Sequence, residues 1–280
     1  MMHLLTISTA LSLAWVLRRG DFSCGNYERR WQRALLQFVL PPLLLMATAV
    51  AIVCMGPHGQ MVWRWEGWLC YLLALAVLGF MGIAGWQLAA DARQSLQQIR
   101  TYPRQEVLGT SSRLLETPLV FSAQIGLWQP ELVVSQGLLD TLDLEHLQAV
   151  LAHESAHLYY RDTFWFLCLG WLRRCFWWLP NTEDLWQELL LLREIRADRW
   201  AAQQVDPLLL AESLLFVARA PLEHCESFCA AFSCAAPRSR LEERIEALLV
   251  DSPIPPKNDV WALAWLCVAF LPLFAIPFHH

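Results

Sequence analysis

Three runs of this chain carry no Asp, Glu, Lys or Arg: Leu35 to Met55, Trp68 to Ala90 and Val260 to Phe278. The first two reach the roughly 20 residues that cross the hydrocarbon of a bilayer, and the third is slightly shorter. Pro41 and Pro42 are expected to kink the first. Leu4 to Leu17 is apolar but short. Arg18 and Arg19 follow it rather than precede it and no small-residue cleavage site is evident, so a retained anchor with its N-terminus outside is expected rather than a cleaved signal. Arg18, Arg19, Arg29, Arg30 and Arg33 lie in the first loop against Arg64 alone in the second, which puts the first loop inside.

Between Ala90 and Val260 the pattern changes. Leu144, Leu147, Leu151 and Leu158 recur at helical spacing behind Asp143, a good N-cap, and predict an amphipathic helix seated in a core. Leu189 to Trp200 predicts a second helix. Phe164 to Leu179 is strongly apolar but interrupted by Arg173 and Arg174, which reads as a buried or interfacial connection between the two, with a dip into lipid as the alternative. Asp251 to Asn258 is polar and proline-rich, a boundary. The expected fold is thus mainly α: an integral membrane protein with about four transmembrane helices (about 4–17, 35–55 and 68–90 in an N-terminal region 1–90, and one in 259–280) around a cytoplasmic domain over 91–258.

Composition agrees. The chain is 56% hydrophobic with 15 Trp and only 17% charged residues, which excludes an ordinary cytosolic enzyme. A net charge of −5 and a single lysine, Lys257, give no basic face for nucleic acid. Nine cysteines without a C-x-x-C pair indicate neither a disulfide framework nor a cysteine metal site, and Cys225, Cys229 and Cys234 are read as free thiols. Gly79, Gly82 and Gly85 suit close packing or a lipid-facing helix, not a nucleotide loop.

The chemistry concentrates at His153-Glu154-Ser155-Ala156-His157. Two imidazoles four residues apart stack on one helical face and reach one zinc ion, and Glu154, about 100° round the axis, is placed as general base toward water. Two histidines leave a catalytic zinc one protein ligand short. Glu194 is the best third donor, and Asp198, one turn later on the same face, is placed to orient a histidine. The competing reading pairs both carboxylates with Arg193, Arg196 or Arg199 on a solvated face. Other histidines lack ligand spacing.

These residues, with Arg161-Asp162 after the first motif and Glu194-Ile195-Arg196-Ala197-Asp198 as the second, resemble the gluzincin membrane metallopeptidases. One branch is the quality-control type typified by HtpX and the CAAX prenyl proteases. The other is the metallopeptidase part of the beta-lactam sensor-transducers, to which Val120 to Val134 and Gly137-Leu138-Leu139 are more similar. Arg240 to Leu248 resembles a C-terminal helix of the quality-control members. The resemblance spans Leu119 to Leu249 and implies a zincin-like α+β domain that cleaves proteins near the membrane, with Val120, Phe121, Ser122 and Ala123 as the edge strand for an extended substrate. A histidine usual in the quality-control relatives before the Arg-Ile helix is absent here. Arg238, Arg240, Tyr159 and Tyr160 are therefore left as alternatives for steadying the oxyanion. The transducers continue into a large penicillin-binding domain that does not follow His280, so direct beta-lactam binding is not expected. Partners are protein or peptide substrates and membrane lipid; the alternative function is a non-catalytic signalling or scaffold protein stabilised by zinc.

Overall fold

The structure, a computed structural model, describes residues 2–22, 25–57, 64–219, 240–250 and 264–278. The linker at 251–258, Arg238 and the cysteines 225, 229 and 234 lie outside them. The chain divides into two compact units. One comprises Met1–Trp86, Trp171–Leu189 and Asn258–His280, and the other comprises Gln87–Gly170 and Leu190–Lys257.

The first unit holds α1 (Met2–Leu17), α2 (Tyr27–Met55) and the beginning of α3 (Arg64–Arg100). The side chain of Asn26 caps α2 by accepting from the Arg29 backbone N–H, and the helix runs on through Pro41 and Pro42. Among the described residues, α2 and α3 are the helices long and apolar enough to cross a membrane. Ala49, Ile52, Cys70 and Ala74 form one buried cluster between them. On α3, Leu69, Leu72, Phe80 and Ile83 stay exposed, as on a helix that meets an apolar solvent. Of Gly79, Gly82 and Gly85, only Gly85 has a close neighbour: a Cβ there would come within 3.1 Å of the Trp171 indole nitrogen, which donates to the Met81 carbonyl.

Trp265–Phe278 is a 3₁₀ helix rather than the expected α-helix over 260–278. Pro272 and Pro277 account for this, since each removes a backbone donor and clashes with the preceding turn. Its Ala269 packs with Ala10, Leu40 and Leu44.

The second unit is built on a four-stranded sheet in the order β1-β2-β4-β3, made of β1 (Arg104–Val107), β2 (Thr110–Leu115), β3 (Ser122–Ile125) and β4 (Glu131–Ser135). β1–β2 and β3–β4 are antiparallel and β2–β4 parallel, so β3 ends the sheet. Alternation sends successive side chains to opposite faces. Phe121, Ala123, Ile125 and Val133 join Ala92 and Ile99 of α3 on one face. Leu132 and Val134 join Leu138, Leu147, Val150 and Leu151 on the other. Those residues belong to α4 (Gln136–Thr141) and α5 (Leu144–Tyr160).

α5 is capped by the Asp143 carboxylate, which accepts from His146 N at 2.9 Å. Its buried stripe is shorter than expected. Leu147 and Leu151 are inside, but Leu144 is 70% and Leu158 47% exposed. A 17-residue helix is about 25 Å long and a five-residue strand about 17 Å, so the sheet covers only its middle. α6 (Asp162–Cys175), α7 (Thr182–Ala201), α8 (Pro207–Arg219) and α9 (Leu241–Leu249) complete the described helices. Leu210 and Ala211 of α8 and Leu248 of α9 pack with Ala149 and Ala201.

Candidate metal centre

α5 and α7 carry the donors. His153 Nε2 lies 3.2 Å from His157 Nε2 and 3.3 Å from Glu194 Oε2, and His157 Nε2 lies 3.8 Å from Glu194 Oε1. All three side chains offer a ligand atom within 4.8 Å of the others. A tetrahedral ion with bonds of about 2.1 Å sets its donors about 3.4 Å apart, so the triad fits one.

The far side of each ring is held by a carboxylate. His157 Nδ1 is 2.8 Å from Asp162 Oδ2. His153 Nδ1 is also 2.8 Å from Asp198 Oδ1, though the N–H is bent off the line of a straight hydrogen bond. The short separation decides, because a small rotation of the ring restores the alignment. With each Nδ1 facing a carboxylate, each ring turns its Nε2 toward the common point, where the neutral form would offer its lone pair to an ion.

Asp162 was not assigned a role from the sequence. It reaches back because Arg161 takes the left-handed conformation (φ 56°), which ends α5 and starts α6 at once. The short Arg196–Asp162 pair fixes that carboxylate, and the Arg196 guanidinium lies over the Tyr160 ring at 4.1 Å. Arg244 on α9 lies in the expected Arg240 to Leu248 helix, but no role was assigned to it from the sequence. It grips Asp198 through two bonds of 2.8 and 2.9 Å and stands 3.6 Å from Glu194. Arg193 binds Glu194 Oε1 at 2.8 Å and stacks over Phe166 at 4.7 Å. Glu194 and Asp198 therefore do pair with arginines, but in the interior: they are 4% and 1% exposed.

Electrostatics follow from that burial. Desolvation alone would raise the Glu194 carboxyl, but Arg193, the two histidines and Arg244 hold it well below the usual range. Asp198 is lowered likewise, against its burial, chiefly by Arg244. His153 is desolvated, yet the hydrogen bonds and charges of Asp198 and Glu194 push it up to about 10.

Glu154 is 6% exposed. One carboxylate oxygen, Oε1, accepts from Ser122 Oγ at 2.8 Å, while Oε2 has no hydrogen-bond partner among the described residues. Of the expected edge strand, Ser122 and Ala123 belong to β3, whereas Val120 and Phe121 precede it. Of the oxyanion candidates, Arg240 is paired with Glu243 at 2.8 Å within its own turn. Tyr160 lies beneath Arg196, and Tyr159 is stacked on Trp200 at 5.8 Å.

Residues 121–179 match the model of Peptidase family M48. The matched stretch runs from the start of the β3 region past the end of α6 and so includes both histidines, Glu154 and Asp162, and ends before Glu194. No curated protein matches the chain. The match and the largely buried His153-His157-Glu194 cluster together support a metallopeptidase.

Proposed function

We propose that the protein is a zinc-dependent endopeptidase of the membrane that cleaves protein substrates at the cytoplasmic face, in quality control or regulatory proteolysis. The observation that carries the reading is a triad of two imidazoles and a carboxylate whose ligand atoms converge, beside a buried Glu154 oxygen with no hydrogen-bond partner among the described residues. His153, His157 and Glu194 would hold the zinc, which would supply Lewis acidity toward a peptide carbonyl and toward water. Glu154 takes the proton of the attacking water on Oε2 and passes it to the leaving amine. Asp198 and Asp162 keep the two rings oriented, and the edge of β3, which has no strand beside it among the described residues, offers backbone groups to an extended peptide.

The competing class is a protein that keeps zinc for stability alone. A structural zinc fills its fourth position with protein and needs no base, whereas here three donors converge and Glu154 stands beside them. Glu154→Gln decides between them. The amide keeps the shape and removes the proton acceptor, so the variant should hold one zinc per chain and lose at least about a hundredfold in peptide cleavage. Undiminished cleavage by a zinc-loaded Gln variant would sink the mechanism, and a wild-type protein that holds zinc but cleaves no peptide library would favour the scaffold.

A further inference from the structure

We propose that Ser122 is a positioning residue for Glu154: its hydroxyl fixes the carboxylate so that Oε2 is the oxygen that exchanges the proton. The inference rests on the peptidase reading and adds a residue to it.

A glutamate side chain has three rotatable bonds, and a base that swings costs rate, because proton transfer requires hydrogen-bond reach in the reacting geometry. The fold supplies a fixed donor. Ser122 opens β3, and its register partner is Val134, whose side chain packs on the α5 face of the sheet. By strand alternation Ser122 points to that face too, while Phe121 and Ala123 on either side are buried on the opposite one. The ladder to β4 and those two anchors leave the hydroxyl little choice of place. It donates to Glu154 Oε1 at 2.8 Å. Ionised, a carboxylate only accepts, so this bond satisfies one oxygen and makes the two unequal. Oε2 is buried, without a hydrogen-bond partner among the described residues, and is the one left to meet water. The same short strand thus carries both the backbone edge on which a peptide would lie and the hydroxyl that sets the base, which ties the register of the substrate to the position of the proton acceptor.

The test compares Ser122→Ala and Ser122→Thr with wild type in the full-length, zinc-loaded protein. Four quantities are read: zinc per chain, Tm, kcat and KM on unfolded β-casein, and the affinity of a peptidyl hydroxamate, whose head group engages both the metal and the adjacent carboxylate. Ser122→Ala should keep its zinc and its Tm, lose about ten- to a hundredfold in kcat at unchanged KM, and bind the hydroxamate about tenfold more weakly. Ser122→Thr keeps the hydroxyl and should recover both to within about threefold of wild type. Ser122→Cys, which keeps the shape and weakens the donor, replaces the alanine variant if that one folds poorly. Unchanged kcat and hydroxamate affinity in Ser122→Ala would overturn the proposal. So would loss of zinc or Tm with full turnover per zinc-loaded molecule, which would make the bond a mere tether of strand to helix. If zinc-loaded wild type cleaves nothing, the peptidase reading fails, and the hydroxamate comparison still decides whether Ser122 holds Glu154.

Discussion

Four buried carboxylates, Glu154, Asp162, Glu194 and Asp198, share one region with three buried guanidiniums, those of Arg193, Arg196 and Arg244. One negative charge is left over, and burial makes it costly. A proton on His153 would balance it in the metal-free protein, in line with the rise of that imidazole to about 10 under the hydrogen bonds and charges of Asp198 and Glu194. A divalent ion replaces that proton. The sign of the linkage follows: the charged imidazole stabilises the metal-free fold fully below its unfolded value near 6.5, and the contribution disappears as pH rises through about 10. Zinc binding should run the opposite way, tightening by about tenfold per pH unit between pH 7 and 9 and releasing one proton. Calorimetry of zinc uptake in two buffers of different ionisation enthalpy reads the proton directly. Equal heats in both buffers, with an affinity flat over that range, would mean that His153 is already neutral without the ion.

At the scale of elements, what a reader of the sequence can recover is what lies within one helix. His153 and His157 on α5, and Glu194 with Asp198 on α7, are i, i+4 pairs, and that spacing alone puts each pair on one face. Groups brought in from another element left no such trace. Asp162 depends on a left-handed residue at a helix end, Ser122 on the register of a four-residue strand, and Arg244 on a helix 46 residues beyond its partner. The apolar stripe of α5 was legible but overextended, because nothing local tells how far the sheet beneath it reaches. The 3₁₀ geometry of Trp265–Phe278 was hidden for a different reason, since hydropathy counts residues and not the turns that Pro272 and Pro277 forbid. α9 offers the clearest test of a long-range contribution. Arg244 is buried, and its removal leaves Asp198 charged, desolvated and without its two strongest bonds. Arg244→Leu should therefore cost about 3–5 kcal/mol of stability and weaken zinc binding about ten- to a hundredfold, although the residue is not a ligand. Denaturant unfolding together with zinc titration checks both. An unaltered midpoint would show that α9 is not anchored through this pair.

At the scale of the whole molecule, two helices of 29 and 37 residues are about 44 and 56 Å long, more than the roughly 30 Å of hydrocarbon in a bilayer. α1, at 16 residues, is about 24 Å and falls short. The arginine count of the sequence leads us to propose that the loop after α1 lies in the cytoplasm, and within the first unit that loop is tied to the beginning of α7. Arg18, fully buried at the end of α1, donates to Thr182 at 3.1 Å, and Asn181 donates to the Arg18 carbonyl at 2.9 Å. Arg30, in the first turns of α2, pairs with Glu188 at 2.6 Å. Glu188 and the metal-site Glu194 are six residues apart on one continuous helix, about 9 Å. Single-cysteine variants at Pro57 and Thr110, in a chain stripped of its native thiols, test this placement in intact cells with a membrane-impermeant thiol reagent. Pro57→Cys, between α2 and α3, should label without lysis, and Thr110→Cys, at the exposed β1–β2 turn, only after it. Labelling of Thr110→Cys in intact cells would place the site outside and change the substrate pool, while leaving the metal chemistry as it stands. On the proposed topology, an α1 that lay along the surface instead of crossing would move only the N-terminus to the other side, and the expected pattern at both cysteines would be the same.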